Sequence, residues 1–246
     1  MRTRVIRIGC AGWAVPKELA HVFPAVGSHL ERYAERFNAV EINSSFYRPH
    51  RRTTYERWAA AVPHGFAFAV KAPRTITHTR RLQNCESELE AFLSEATALG
   101  DKLGSLLFQL PPSLAYAEPE MAAFFELLRK DYSGSAVCEP RNASWFTAAA
   151  DKLLRRFDIA RAASDPAVVP AAAEPAGSSH LRYFRLHGSP RMYYSAYGGT
   201  RLAAIAAQLR ASSASGAETW CIFDNTAVGA AYRDAFELQE LLASLG

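Results

Sequence analysis

Apolar residues along this chain fall in short runs that end in a polar or charged residue, and most runs precede a stretch with helical periodicity. Eight runs stand out: Val5–Ala11, Ala39–Asn43, Phe66–Lys71, Ser105–Leu110, Ala136–Glu139, Ile159–Asp165, Leu181–His187 and Thr219–Asp224. Strands that alternate with helices imply parallel pairing, because parallel neighbours need a long crossover. About eight such units in roughly 250 residues is the size of one closed barrel. The chain is therefore predicted to be α/β: a single (β/α)8 TIM barrel domain over residues 1–246, its closed parallel eight-stranded sheet surrounded by helices. Barrels of this kind carry their chemistry at the carboxyl ends of the strands. That rule selects Glu41, Asn43, Lys71, Gln109, Glu139, Arg141, Asp165, Arg185, His187, Asp224 and Asn225 as candidates.

Side-chain parity sharpens the selection, since successive strand residues face opposite sides of a sheet. If Lys71 points inward, so do Ala69 and Ala67, leaving Phe66, Phe68 and Val70 for the helices. Glu41 shares a face with Asn43, and Tyr183 with Arg185 and His187. In the last strand the inward set is either Ile222 and Asp224 or Phe223 and Asn225. Charges inside apolar strands are costly to bury. A solvated mouth at the strand ends is one way to accommodate them.

Helix signals fall between the runs. Thr53-x-x-Glu56 has the form of a capping box ahead of Trp58. Glu86–Leu99 presents one apolar face and ends at Gly100, and Pro119 suits a first helical turn. Thr147 is placed to cap the helix carrying Leu153 and Leu154. The final helix is predicted over 228–245. Two connections differ from the rest. The Pro/Ala-rich segment 166–179 reads as a mobile surface linker, with a lid as the alternative. The segment 188–199 holds Arg191, Tyr193, Tyr194 and Tyr197 between glycines. It is either a phosphate-binding loop or a set of tyrosines folded onto the rim.

Composition is that of an ordinary soluble globular protein, 49% hydrophobic and 21% charged, with a mild net charge of +4. No apolar stretch is long enough to span a bilayer, and Met1–Arg7 lacks the apolar core of a signal peptide. A cytoplasmic protein with no membrane partner is expected. Cys10, Cys85, Cys138 and Cys221 are far apart and read as buried free thiols rather than disulfides or zinc ligands.

The segments IRIGCAGW (6–13), VEINSSFYR (40–48), FAFAVKAPRTITH (66–78), LLFQLPPS (106–113), EPRNASWF (139–146), YFRLHGS (183–189) and FDNTAVGAAYRDAFELQEL (223–241) together resemble the YecE-like family, the domain of unknown function numbered seventy-two. The likeness covers essentially the whole chain. It implies a (β/α)8 barrel without an established activity. The family's characteristic polar residues fall on Glu41, Asn43, Tyr47, Lys71, His78, Gln109, Glu139, Arg141, Trp145, Asp165, Arg185, His187 and Asn225. Asn142 and Ala143 stand where the family commonly has a histidine–proline pair, so no histidine is available at the fifth strand. The family also commonly has a second asparagine near Asp224 and a proline at the position of Ala231, and a longer segment after Trp13.

Around the predicted ring, Glu41, Lys71, Glu139 with Arg141, Asp165, Arg185 with His187, and Asp224 alternate in sign from strand to strand. This is either a self-neutralising network or a preorganised polar cup. The interleaved cations argue against a bound metal, and no cofactor is implied. A multi-zinc nuclease of the endonuclease IV type would need more histidines at the tips. Glu41 and Glu139 are candidates for general acid and base, with Lys71 and His187 as further catalytic candidates. Lys71, Arg185 and Arg191 would hold an anionic group, and Asn43, Gln109 and Asn225 would orient it. Trp13, Tyr47 and Trp145 would line the mouth. Lys71 is a weaker candidate for a Schiff base, because a nearby Glu41 would keep it protonated.

The resulting expectation is an enzyme acting by acid–base or electrostatic catalysis on a small polyhydroxylated or anionic (phosphate or carboxylate) metabolite. The alternatives are a nucleic-acid-binding or repair-related barrel like endonuclease IV in fold, using Arg48, Arg51, Arg52, Arg74, Arg80 and Arg81, or a non-catalytic binding protein. On the enzyme reading, Glu41→Gln or Lys71→Ala would leave thermal stability nearly unchanged. No feature of the sequence specifies an oligomeric state.

Overall fold

A computed structural model describes residues 5–244. Every apolar run forms extended chain: β1 (Ile6–Cys10), β2 (Ala39–Ile42), β3 (Ala67–Lys71), β4 (Leu103–Gln109), β5 (Ala136–Glu139), then β6 (Ile159–Arg161) and β7 (Ala163–Asp165) from the divided sixth run. A two-residue strand, β8 (Ala176–Gly177), follows, and β9 (Leu181–Leu186) and β10 (Glu218–Phe223) complete the set. The helices are α1 (His29–Ala34), α2 (Arg52–Ala60), α3 (Glu86–Ala96), α4 (Glu118–Asp131), α5 (Ala148–Arg156), α6 (Gly199–Ala214) and α7 (Ala230–Ser244). Leu245, the predicted end of the last helix, and Met1–Arg4 of the amino-terminal segment lie outside the described residues.

The strands form a mixed α/β fold with two sheets, in the orders β1-β10-β9-β7 and β2-β3-β4-β5-β6-β8. Pairing is parallel except for β8 on β6. The predicted single eight-stranded ladder is thus interrupted at two seams, and each interruption has a local cause. Between β1 and β2 the backbone meets only at the Ala11–Glu41 bridge, where Gly12 N–H donates to the Glu41 carbonyl. Below it, side chains replace the ladder. Cys10 N–H donates to the Tyr33 hydroxyl, which donates to Ala39 O, while Asn38 accepts from Ile8 N–H and donates to Ile6 O. At the second seam the chain changes partners at Ala162: β6 pairs with β5, β7 with β9.

Parity places the core as the sequence implied. An inner cluster contains Ala39, Ala67, Ala69, Leu107, Val137, Ala160, Leu181, Tyr183, Trp220 and Ile222. The bulkier Phe66, Phe68, Val70, Phe108, Phe184 and Phe223 pack in a separate cluster with the helices. Trp220 stacks on Tyr183 with ring centroids 5.8 Å apart. Gly104 makes room for it, since a Cβ there would lie 2.3 Å from the indole. Along β10 the inner face reads Trp220, Ile222 and then Asp224, so polar groups sit directly on an apolar floor.

Several local expectations change. The Thr53/Glu56 capping box does not form, because α2 begins at Arg52 behind an Arg51 cap and Glu56 pairs with Arg52 instead. A reciprocal box forms at Ser28 and Glu31. Thr147 does cap α5, and Pro119 occupies the first turn of α4. The 166–179 segment is not a free linker: β8 is hydrogen-bonded along β6, Ala172 is buried, and Arg161 donates to Ala171 O. Gly177 is required there, with φ +72° and Ile159 O 2.2 Å from where a Cβ would be. Among the described residues no helix is long and apolar enough to cross a membrane.

A buried charge cluster at the strand ends

Arg185 follows Leu181 and Tyr183 on the inner face of β9, which carries its guanidinium into the centre of the strand ends. It donates from Nε and Nη2 to the two oxygens of Glu41, at 3.0 and 2.6 Å. Nη1 donates to Glu139 at 2.7 Å, and Nη2 donates also to Asp224 at 3.0 Å. Four of its five N–H groups are thereby used. Arg185, Glu41 and Glu139 are fully buried, and Tyr183 adds a hydroxyl donor to Glu41 at 3.0 Å. Burial alone would lower the arginine pKa, but Glu139, Glu41 and Asp224 outweigh it and hold the group well above its ordinary value.

A second layer surrounds Glu139. Its Oε1 accepts from Ser164 at 3.0 Å and lies 2.8 Å from Arg141 Nη2. The same Nη2 is 2.5 Å from His187 Nε2, whose Nδ1 is 3.0 Å from Asp224. His187 Nε2 also lies 2.9 Å from Glu139 Oε1, so the imidazole bridges Glu139 and Asp224 through its two ring nitrogens. Burial works to raise the Glu139 carboxyl, yet Arg141, Arg185 and His187 together hold it well below the usual carboxylate range. Asp224 is likewise lowered against burial, chiefly by Arg185 and the His187 hydrogen bond. The ring of Tyr193 meets His187 edge-on, with centroids 5.9 Å apart, and covers it from the loop after β9.

Lys71 stands apart. Its side chain rises from the end of β3, next to the position of Asn43 one step past the Ile42–Val70 pair. It is only 5% exposed. Its Nζ lies 4.2 Å from the centre of the Phe46 ring, and no carboxylate comes within ion-pair distance among the described residues. The acids that might have paired with it are already satisfied. Burial, then the like charge of Arg185, bring its pKa down from 10.5 to about 8, although Glu41, Glu139 and Asp224 pull the other way. Glu41 still favours the charged form, which remains the major one at neutral pH, but it does so without an ion-pair contact.

His78 shares the Phe46 neighbourhood, its ring 4.9 Å from that of Phe46. A π-helical turn, Thr75–Thr79, carries it there, and Thr77 Oγ1 sits 2.9 Å from its Nδ1. Its pKa is lowered by burial and then by Lys71 and Arg74. The turn is followed by Arg81, Leu82 and Asn84, all with positive φ. Such backbone strain and single π-turns concentrate near functional sites.

The remaining sequence candidates disperse. Asp165 faces outward to Arg201 and the Tyr197 hydroxyl. Asn225 also faces away from the cluster, donating to Ser195 O and Asp234, so Ile222 and Asp224 form the inward set of the last strand. Trp145 is fully buried, with its indole N–H on Leu114 O, and Tyr47 is 74% exposed, so neither lines a mouth. Gln109 is half-buried at the end of β4, level with Glu139. Arg191 is exposed and stacks on Tyr194 at 3.9 Å. The open cup expected at the strand ends is not found over the charges. A cavity of about 460 Å³ is lined by Ala11–Ala14, His29, Asn43 and Ser44 and by none of the cluster's charged residues. A second, of about 660 Å³, lies between Gly12–Ala14 and Thr226–Gly229. Asn43 Oδ1, buried and without a hydrogen-bond partner, belongs to the wall of the first. Ser164 and Phe46 were missed from sequence, whereas Tyr183 was placed by parity on the face of Arg185 and Tyr193 lies in the loop whose tyrosines were one reading's cover for the rim.

The description "Protein of unknown function DUF72" matches residues 7–245 of this chain. The UPF0759 protein YecE of Escherichia coli (strain K12) is 30% identical over 131 residues, 52% of this chain and 46% of that protein. The UPF0759 protein YunF of Bacillus subtilis (strain 168) is 30% identical over 151 residues, 58% and 53% of the two chains. The chain spans about half the length of these curated relatives. Crystal structures of DUF72 family proteins from Enterococcus faecalis V583 (TM-score 0.82, 21% identity, 97% of this chain and 96% of that one) and Thermotoga maritima MSB8 (TM-score 0.81, 21%, 97% and 99%) share its fold.

Proposed function

The chain belongs to the DUF72 family of proteins of unknown function, and from that premise we propose that it is an enzyme acting on a small polyhydroxylated or anionic molecule, with Lys71 as the group that meets it. One observation carries this reading. Lys71 is a buried cation of the cluster with no carboxylate in ion-pair distance among the described residues, while Arg185 and Arg141 are neutralised. An isolated buried amine is costly, and perturbed groups of this kind concentrate where chemistry is done. Asn43 Oδ1, buried, unpartnered and in the wall of the 460 Å³ cavity, is an acceptor for a ligand hydroxyl. Glu41, Glu139, Asp224 and Arg185 then act as a rigid electrostatic base rather than as the acid and base themselves.

The architectural part of the proposal is that the two sheets close into one (β/α)8 barrel in a cytoplasmic protein. The Ala11–Glu41 bridge and the shared run through Ala162 support closure. A rival, nucleic-acid reading has weak support: Arg52, Arg80 and Arg81 are engaged by Glu56, Glu88 and Ser113, leaving Arg48, Arg51 and Arg74 of that set. Ligand-induced thermal shifts against a panel of sugars, sugar phosphates and small carboxylates test the main reading. A shift that vanishes in Lys71→Met supports it; shifts that survive that change contradict it.

A further inference from the structure

Building on the reading that Lys71 meets the ligand, we propose that Lys71 is a nucleophile toward a carbonyl carbon, so the substrate class is a small aldehyde or ketone bearing hydroxyl, phosphate or carboxylate groups. The geometry separates Lys71 from every other lysine of the chain. Lys102 is also buried, but its Nζ donates to Pro63 O at 2.6 Å, which holds the ammonium. Among the described residues Lys71 Nζ has the π face of Phe46, 4.2 Å away, and no acceptor within hydrogen-bond distance. Such a contact favours the charged amine modestly and leaves the nitrogen unengaged by any acceptor. Burial and Arg185 both oppose its proton, and the resulting value of about 8 leaves a working fraction of free amine at neutral pH.

The chemistry closes on groups already present. The Lys71 nitrogen lone pair forms a bond to the carbonyl carbon as the C=O π pair moves onto oxygen; one proton then passes from the new ammonium nitrogen to that oxygen, giving a neutral carbinolamine. A second proton, drawn from solvent, goes to the hydroxyl as the C–O bond breaks; the oxygen leaves as water and the freed nitrogen lone pair completes an iminium. No oxidant or reductant is consumed. His78 is the proton carrier assigned to this step, because it shares the Phe46 neighbourhood with Lys71. It shares Phe46 with Lys71, its Nδ1 is paired with Thr77, and its Nε2 has no partner among the described residues. A substrate hydroxyl donating to Asn43 Oδ1 would orient the carbonyl from the cavity side. An iminium carries a positive charge, and the ring of Glu41, Glu139 and Asp224 lowers its cost as it does that of the ammonium.

The test incubates the full chain at pH 8 with pyruvate, dihydroxyacetone phosphate or glycolaldehyde, adds sodium borohydride, and maps the product by mass spectrometry. Trapping should saturate with probe and fall on Lys71, with Lys17, Lys102, Lys130 and Lys152 as internal references. His78→Gln should slow trapping by roughly a hundredfold, the usual weight of a lost proton carrier. Lys71→Arg, which keeps the charge but cannot form an imine, should abolish trapping. Label spread evenly over the lysines overturns the proposal. So does absence of label; if glycerol 3-phosphate or lactate still gives a Lys71-dependent thermal shift, the broader reading of Lys71 survives alone. If no probe or analogue gives a Lys71-dependent effect, both fall.

Discussion

Replacing Lys71 with methionine gives a quantitative test of how the cluster is wired. Holding a lysine at about 8 instead of 10.5 corresponds to about 3 kcal/mol of disfavoured charge. The sign follows from proton counting. Between pH 8 and 10.5 the unfolded chain binds more protons at this site than the folded one, so stability rises with pH across that window. Below pH 8 the folded protein carries the whole penalty. Methionine keeps the stem and removes the charge. It also forfeits the contact with Phe46, worth about 0.5–2 kcal/mol. Lys71→Met should therefore be more stable than its parent at pH 7 by about 1–3 kcal/mol. That advantage should shrink by about 2.5 kcal/mol by pH 10. Urea unfolding of both proteins, followed by tryptophan fluorescence at each pH, gives the difference directly and cancels titrations common to the two. A difference that does not change with pH, or one that grows toward pH 10, would refute the reasoning. The expectation from sequence, made for Lys71→Ala, is a nearly unchanged thermal stability; the burial of Lys71 predicts a gain for Lys71→Met instead.

Other substitutions separate support from function. Glu41→Gln removes the negative charge and leaves one of two Arg185 donors facing an NH2 in a fully buried site, and should cost about 3–5 kcal/mol by denaturant unfolding; a loss under about 1 kcal/mol would mean that the cluster is solvated. Glu139 is held well below the ordinary carboxylate range, so its contribution is present above about pH 4 and lost as pH falls through its folded value. Glu139→Gln should accordingly lower stability at pH 7 and flatten the acid limb of the stability profile; an unchanged acid limb would contradict the ion pairing. Gly104→Ala, facing the Trp220 indole, should destabilise by about 1–3 kcal/mol and alter near-ultraviolet circular dichroism, and a neutral result would place the indole elsewhere.

Much of the fold is legible in the sequence because strand parity is a two-residue rule that short apolar runs express clearly. Ala67 and Ala69 inside and Phe66, Phe68 and Val70 outside follow from it, as does the convergence of Glu41, Glu139 and Arg185. What parity does not contain is the identity of hydrogen-bond partners across strands. Tyr33 and Asn38, both distant in sequence from β1, stitch the seam that a uniform ladder would have closed. Nor does parity give the degree of sealing. Loops supply Phe46 and Tyr193, and these turn an expected open cup into a covered cluster. Strand-end position alone also overstated Asp165 and Asn225, whose backbones belong to the strand ends but whose side chains serve the surrounding helices and loops.

Nuclear magnetic resonance of chains labelled with 13Cε-lysine observes the Lys71 amine directly. Titrated from pH 6 to 11, the Lys71 resonance, assigned by its loss in Lys71→Met, should change with a midpoint near 8, well before the surface lysines. A midpoint at or above the ordinary lysine value would show an ammonium held by carboxylates, and the account of Lys71 as the available amine would fail.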